Sequence, residues 1–441
     1  MTSTARPSAR RPMGALAAAA LLFGAAPARG QTAAPVELDL RAYAERHHDE
    51  QIAMLERIVN IQSGTMHAAG VKAVGEVLRR SLDSLGFTTS WIDLPPKLER
   101  AGHLYAERKG GRGRRILLIG HLDTVFEGAQ RGFQRADTLA RGAGVYDMKG
   151  GDVVILYALK ALASAGVLDG MQVSVLLTGD EEAAGQPMSV SRAALVDAAR
   201  RSDVTIDFEP DAGSATVAQR GATSWILRVT GRQYHSGAIF TPDAGYGAVL
   251  EAARIIDGFR TTMAGEPYLT FNPAVIAGGT HVAFDTMALS ATAAGKDNIV
   301  PRVLTATGDL RFLYDSQLVH AEARMREIVA RHLPGTSATI SFADPYPAMA
   351  PSPRNDALLA TLDSVSRALG YGPVEALDPA KRGAADVAFA APYTAAINGL
   401  GVRGGGAHTP DEWVDLRSLP TATARAAAFL LRLSRAGPAT P

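Results

Sequence analysis

Arg115-Ile116-Leu117-Leu118-Ile119-Gly120-His121-Leu122-Asp123-Thr124-Val125 is a short apolar run closed by glycine, a histidine and an acid. Four consecutive aliphatics bounded by glycine read as a buried strand rather than a helix, which would need a longer periodic stretch. In open α/β sheets ligands gather beyond the carboxyl ends of the strands, and that is where His121 and Asp123 fall. Working outward, the arrangement recurs. Val173–Thr178 is followed by Glu181 and Glu182, and Val204–Phe208 by Glu209. Asp147 lies in the glycine-rich loop Arg141–Gly151, and His408 in a loop just before Thr409. Two imidazoles and three or four carboxylates suit a pair of zinc ions, with one carboxylate left over as a base.

The surrounding pattern alternates strands and helices. Leu38–Gln62 is expected to be helical, as is Val71–Leu85, which stops at Gly86. Strands are expected at Thr88–Ile92, Leu104–Glu107, Arg115–Gly120, Val173–Thr178 and Val204–Phe208, with helices at Gly151–Ala165 and Ser189–Ala199. That is the rhythm of an α/β fold. After Gly221 it changes to strand Ser224–Thr230, helix Gly245–Arg260, strand Leu304–Phe312, helix Gln317–Leu333 and strand Ser337–Phe342, a small α+β unit of ferredoxin-like type. From Pro353 the α/β pattern returns, with helix Ala357–Leu369, strand Tyr393–Ile397 and helix Leu419–Ala436. The expected organisation is a catalytic domain over 31–222 and 346–441, split by an inserted domain over 223–345.

Composition narrows the function. The 441 residues are 47% hydrophobic and 20% charged with a formal net charge of +1, which gives no basis for binding nucleic acid or an anionic membrane. No cysteine is present, so disulfides and thiolate chemistry are excluded and a metal must be held by oxygen and imidazole nitrogen. Arg6, Arg10 and Arg11 precede the apolar run Ala15–Ala26 and small residues at Ala28 and Gly30. This is the order of a cleaved secretory signal over 1–30, and it implies export, to a periplasm in a bacterium, with no membrane span afterwards; a retained N-terminal anchor is the alternative. There is no Gly-x-Ser-x-Gly elbow and no His-Glu-x-x-His helix.

Each candidate has a plainer reading. His121 can be a surface histidine next to a helix-capping Asp123, Asp147 can cap the helix that follows it, Glu181-Glu182 can be an acidic first helical turn, Glu209-Pro210 can be a turn, and His408 can be a loop histidine among glycines. The ordered set is more specific than its members. Gly120-His-Leu-Asp-Thr-Val125, Asp147-Met-Lys-Gly-Gly151, Gly179-Asp-Glu-Glu182, Phe208-Glu-Pro210 and Ala407-His-Thr-Pro410 together resemble the co-catalytic zinc exopeptidases and deacylases. That family includes bacterial glutamate carboxypeptidase, acetylornithine deacetylase, succinyl-diaminopimelate desuccinylase and aminoacylase. The resemblance spans nearly the whole mature chain and is strongest to the glutamate carboxypeptidase branch.

The resemblance implies a mixed-sheet zinc-exopeptidase domain with an inserted lid and dimerisation domain, working as a homodimer. His121 and Glu209 would bind one zinc, Glu182 and His408 the other, and Asp147 both; cobalt or manganese would also suit these donors. Asp123 would orient His121 through its second ring nitrogen, and Glu181 would be the general base. The Asp147-Met148 peptide would be cis. In the lid, Tyr234-His235-Ser236-Gly237 resembles the element whose histidine stabilises the oxyanion in the partner subunit, although a turn histidine is the alternative. Asn298 and Arg311 resemble contacts to a substrate carboxylate; Arg311 can instead be a strand-edge charge. Gly383–Asp386 resembles a loop that carries a hydroxyl where this chain has Ala385. The implied reaction is hydrolysis of the amide to a C-terminal amino acid, glutamate or a related residue. A deacylase of N-acyl amino acids, or a binding protein on the same fold, is the alternative.

Overall fold

The structure is a computed structural model and describes residues 32–285 and 289–437; the segment read as an export signal lies outside the described residues. Its first sheet has six strands in the order Thr88–Ile92, His103–Arg108, Met171–Thr178, Arg112–His121, Val204–Asp207, Ala395–Ile397. The last four are mutually parallel and the first two pair antiparallel, so the sheet is mixed. Parallel strands are covered on both faces and therefore read as unbroken apolar runs. The quoted stretch shows this directly. Ile116 and Leu118 pack with helices Lys149–Ser164 and Ser418–Arg435, while Leu117 and Ile119 point the other way, onto Leu195, Ala198 and Val387.

The chain leaves this sheet after Val204–Asp207 and returns to it at Ala395–Ile397. Between them lies an antiparallel sheet in the order Thr336–Phe342, Gly221–Gly231, Val303–Phe312, Thr270–Gly279. With helices Gly247–Met263 and Asp315–Ala330 this is the strand-helix-strand-strand-helix-strand sequence of a ferredoxin-like unit. Strand Gly221–Gly231 alternates buried and less buried residues, and the helices set Ile255, Phe259, Met325 and Val329 against its Trp225, Leu227 and Val229. Ala222 and Tyr346 exchange backbone hydrogen bonds of 3.0 and 2.9 Å, so the two connections run side by side.

Three expectations needed revision. The single helix over Leu38–Gln62 is two, Pro35–Arg46 and His48–Val59, because the Gln51 amide donates to Ala44 O at 2.8 Å and fixes a break at His47. The helix over Ser189–Ala199 is broken at Arg192, whose side chain turns inward. Strand Thr270–Gly279, which carries Pro273 in its interior, was not assigned from the sequence. Among the described residues no helix is long and apolar enough to cross a membrane.

Candidate metal centre

His121 is the last residue of strand Arg112–His121 and Glu209 follows Val204–Asp207, so neighbouring parallel strands deliver both to one end of the sheet. Asp147 reaches the same place because helix Lys149–Ser164 begins almost against the second strand. A Cβ on Gly151 would lie 2.0 Å from Phe208 O, so only glycine permits that approach. The Asp147-Met148 peptide is cis, as the resemblance implied. Asp147 does not cap the helix: the capping position is Met148, with no side-chain cap. Nor do Glu181 and Glu182 open a helix. Their N–H groups donate to the Asp123 carboxylate at 3.0 and 3.1 Å, and Asp180 ties Gly185 N and Ser191 Oγ, so side-chain acceptors hold this loop.

Two donor sets result. His121, Asp147 and Glu209 form one; Asp147, Glu182 and His408 form the other. His121 Nε2 lies 3.4 Å from Asp147 Oδ1 and 3.5 Å from Glu209 Oε1; it is buried and, among the described residues, has no hydrogen-bond partner. His408 Nε2 lies 3.3 Å from Asp147 Oδ2 and 3.2 Å from Glu182 Oε2. Two ligands about 2.1 Å from one tetrahedral ion stand roughly 3.4 Å apart, so these separations fit metal coordination better than direct hydrogen bonding. The residues present fit a pair of divalent cations.

The electrostatics agree. Burial would depress His121, but Asp123, Asp147 and Glu209 around it raise its pKa well above the ordinary histidine range. Asp147 and Glu182 raise His408 to about 10. Burial would raise Asp147, yet His121 and His408 hold its carboxyl below the usual range. A cation binding here would have to displace any proton on the coordinating ring nitrogens. Glu181 lies beside the donor sets without belonging to either, and burial with Asp386, Glu209 and Glu182 nearby pushes its carboxyl well above the ordinary range.

His121 Nδ1 is 3.0 Å from the backbone carbonyl of Asp123 and 3.5 Å from its carboxylate. The carbonyl is the nearer acceptor, and the carboxylate is committed to Glu181 N, Glu182 N and the Thr65 hydroxyl, which donates at 2.6 Å. Glu412 is a participant that sequence reasoning missed. It is buried and accepts from the N–H groups of Gly144, Tyr146 and Asp147 at 2.8–2.9 Å, fixing the loop that presents Asp147. Burial pushes its carboxyl up to about 7 despite those donors.

The donors open into a cleft of about 540 Å³, also lined by Arg311, Tyr346, Lys381 and Arg382. Arg311 therefore reaches the site from the second sheet. His235 and Asn298 do not line the cleft; both are exposed and adjoin each other, with Ser236 N donating to Asn298 O at 2.9 Å.

The model of peptidase family M20/M25/M40 matches residues 117–432, which include every donor. The chain belongs to this family. As an M20 metallopeptidase it is a hydrolase. It is 29% identical over 405 residues to carboxypeptidase G2 of Pseudomonas sp., covering 87% of this chain and 90% of the relative. It is 26% identical to a succinyl-diaminopimelate desuccinylase of Rhodospirillum centenum, covering 64% and 72%. The structure of aminopeptidase PepT from Bacillus cereus superposes with a TM-score of 0.69 at 17% identity, covering 88% of this chain and 98% of that one, which is a likeness of fold.

Proposed function

We propose that this M20 hydrolase is an exported di-zinc carboxypeptidase that cleaves the amide bond to a C-terminal amino acid. The observation that carries the reading is the pair of donor sets sharing Asp147, with Glu181 alongside. His121, Asp147 and Glu209 would hold one ion, and Asp147, Glu182 and His408 the other. Those residues would hold two divalent cations, whose chemistry there would be Lewis-acid activation of water and of the scissile carbonyl. Glu181 takes a proton from the attacking water and hands it to the leaving nitrogen, so water and amide become carboxylate and amine. Arg311 offers a fork of donors to the substrate carboxylate. Glu412 and Asp123 keep the donor loops in place, as outer-shell groups do for metal ligands.

We place the catalytic domain at 31–222 and 346–441 and a lid over 223–345, dimerising so that His235 and Asn298 serve the partner's cleft. The N–H of Gly237 donates to His235 Nδ1 at 3.1 Å, which leaves the ring proton of the neutral form on Nε2, as an oxyanion donor requires. His235→Ala should lower kcat about 100-fold at unchanged metal content and dimer mass. An unchanged kcat would reduce His235 to a turn residue. His408→Ala should lower bound zinc from two ions per chain to one by elemental analysis, and an undiminished count would remove His408 from the centre.

The desuccinylase relative favours a second reading, deacylation of N-acyl amino acids. Zinc-loaded protein tested on N-acylated peptides and on simple N-acetyl amino acids, with and without chelator, separates them. Chelator-sensitive release of the C-terminal residue from peptides supports the carboxypeptidase. Turnover of the simple acyl amino acids alone makes the protein a deacylase.

A further inference from the structure

The cleft has two chemically different walls. Its acids, Asp147, Glu181, Glu182 and Glu209, all belong to the donor sets or flank them. The remaining charged lining besides His408 is cationic: Arg311 from the second sheet, and Lys381 and Arg382 from the turn before the Gly383–Asp386 loop. The cations differ in how they are matched. Arg311 Nε already donates to Asp309 at 2.8 Å. Arg382 is half-buried and held by neutral acceptors only. Its Nε donates to Thr216 Oγ1 at 3.0 Å, and its Nη2 donates to the carbonyl of Pro210, the residue after Glu209.

Gly399 has a φ of +91°, and a Cβ there would stand 3.2 Å from Arg382 Nη2, so the guanidinium lies against backbone that glycine keeps clear. Among the described residues no carboxylate is within ion-pair distance of Arg382, the buried Asp207 interacting with its charge only at longer range, and the exposed Lys381 side chain has no hydrogen bond or ion pair. The loop beyond offers Gly383, Ala384 and Ala385, none of which carries a hydroxyl. Charge is what this wall presents. A fork already fixed by two bonds loses little further freedom when it takes an anion.

We propose that Arg382 and Lys381 form a carboxylate-specificity site on the Glu209 side of the cleft, so that preferred substrates carry two anionic groups, one met by Arg311 and the second by this pair. The second carboxylate has two sources with the same chemistry, an acidic side chain on the C-terminal residue or a carboxylate at the far end of the acyl group. The inference rests on the amide-hydrolase reading above.

The test uses zinc-loaded, full-length mature protein and matched pairs of compounds. Peptides ending in glutamate or glutamine probe the leaving side, and N-succinyl or N-succinamoyl amino acids probe the acyl side. kcat/KM is measured for each, with calorimetric titration of free glutamate, glutamine, succinate and succinamate beside it. The parent should favour the anionic member of one pair by at least about tenfold, and that pair names the source. Arg382→Met and Lys381→Met should each shrink the ratio about tenfold, chiefly through KM, with Arg382→Lys in between. A parent that treats both pairs alike, or a ratio that survives both Met variants, overturns the proposal. If Arg382→Met fails to fold because Pro210 and Thr216 lose their partner, Lys381→Met on the exposed turn decides alone. If no compound is hydrolysed, the amide-hydrolase reading fails while calorimetry still decides this site: weaker binding of the anion to Lys381→Met upholds it, and equal binding overturns it.

Discussion

Glu181→Gln should leave two zinc ions bound while kcat falls by about 10²–10⁴-fold, the range for removing a positioned general base. The separation of the two readouts follows from geometry. Glu181 belongs to neither donor set, yet it lines the same cleft as Glu182, Asp147, Glu209 and His408. Its place is fixed through the backbone: its N–H donates to Asp123 Oδ1 at 3.0 Å, and its carbonyl accepts from the Tyr346 hydroxyl at 2.9 Å. Glutamine keeps both backbone bonds and the side-chain volume and loses only the ability to accept a proton. Metal content by elemental analysis and single-turnover rates on the best substrate check the result. Loss of an ion would make Glu181 a ligand; an undiminished rate would move the base elsewhere.

The first sheet was legible because its strands are buried on both faces, so Ile116–Gly120, Val173–Thr178 and Val204–Phe208 stand out as apolar runs whose ends mark the site. What failed was local geometry decided by side chains from elsewhere. The break at His47 depends on Gln51, and strand Thr270–Gly279 continues past Pro273 with a bulge of its own: consecutive Thr307 and Gly308 of Val303–Phe312 pair with Val275 and Pro273, which leaves Ala274 between them without a partner in the register.

At the site, the residue types were readable and their supports were not. His408 adopts a left-handed φ of +62°, costly for a residue with a Cβ, and nothing in the stretch around Ala407-His408-Thr409 announces it. Asp411 and Glu412 look alike in sequence. Asp411 is a surface partner of Arg141 at 2.9 Å, whereas Glu412 is buried beneath the Asp147 loop. A signal for Glu412 exists only in three dimensions, where three N–H groups of a loop some 265 residues earlier converge on one carboxylate. Arg192 is the same lesson in a helix: read by periodicity it is an ordinary polar position, and its role appears only where the helix breaks.

Arg192→Met should be among the most damaging single substitutions in the chain, although Arg192 does not line the cleft. Its side chain is 1% exposed and bridges two buried acids, Nε to Asp386 Oδ1 at 2.6 Å and Nη1 to Asp180 Oδ1 at 2.7 Å, with Nη2 donating to Asp180 O at 2.9 Å. Those acids hold the site's loops. Asp180 fixes Gly185 N and Ser191 Oγ after the Glu181–Glu182 turn, and Asp386 accepts from Thr178 Oγ1 at the strand end beneath it. Methionine fills most of the volume and removes the charge, leaving two carboxylates without a counter-ion. Breaking a buried pair in this way costs about 3–5 kcal/mol, a large fraction of the roughly 5–15 kcal/mol that keeps a domain folded. Thermal unfolding should shift down by on the order of 10 °C. Arg192→Lys should recover only part of this, since one ammonium cannot serve both acids with the geometry of a guanidinium fork. The cause can be separated from packing. In the triple variant Arg192→Met, Asp180→Asn, Asp386→Asn no buried charge is left over, so most of the lost stability should return even though no arginine is present. If the triple variant is no more stable than Arg192→Met, the loss lies in packing and hydrogen-bond geometry, and the charge argument for this cluster is wrong.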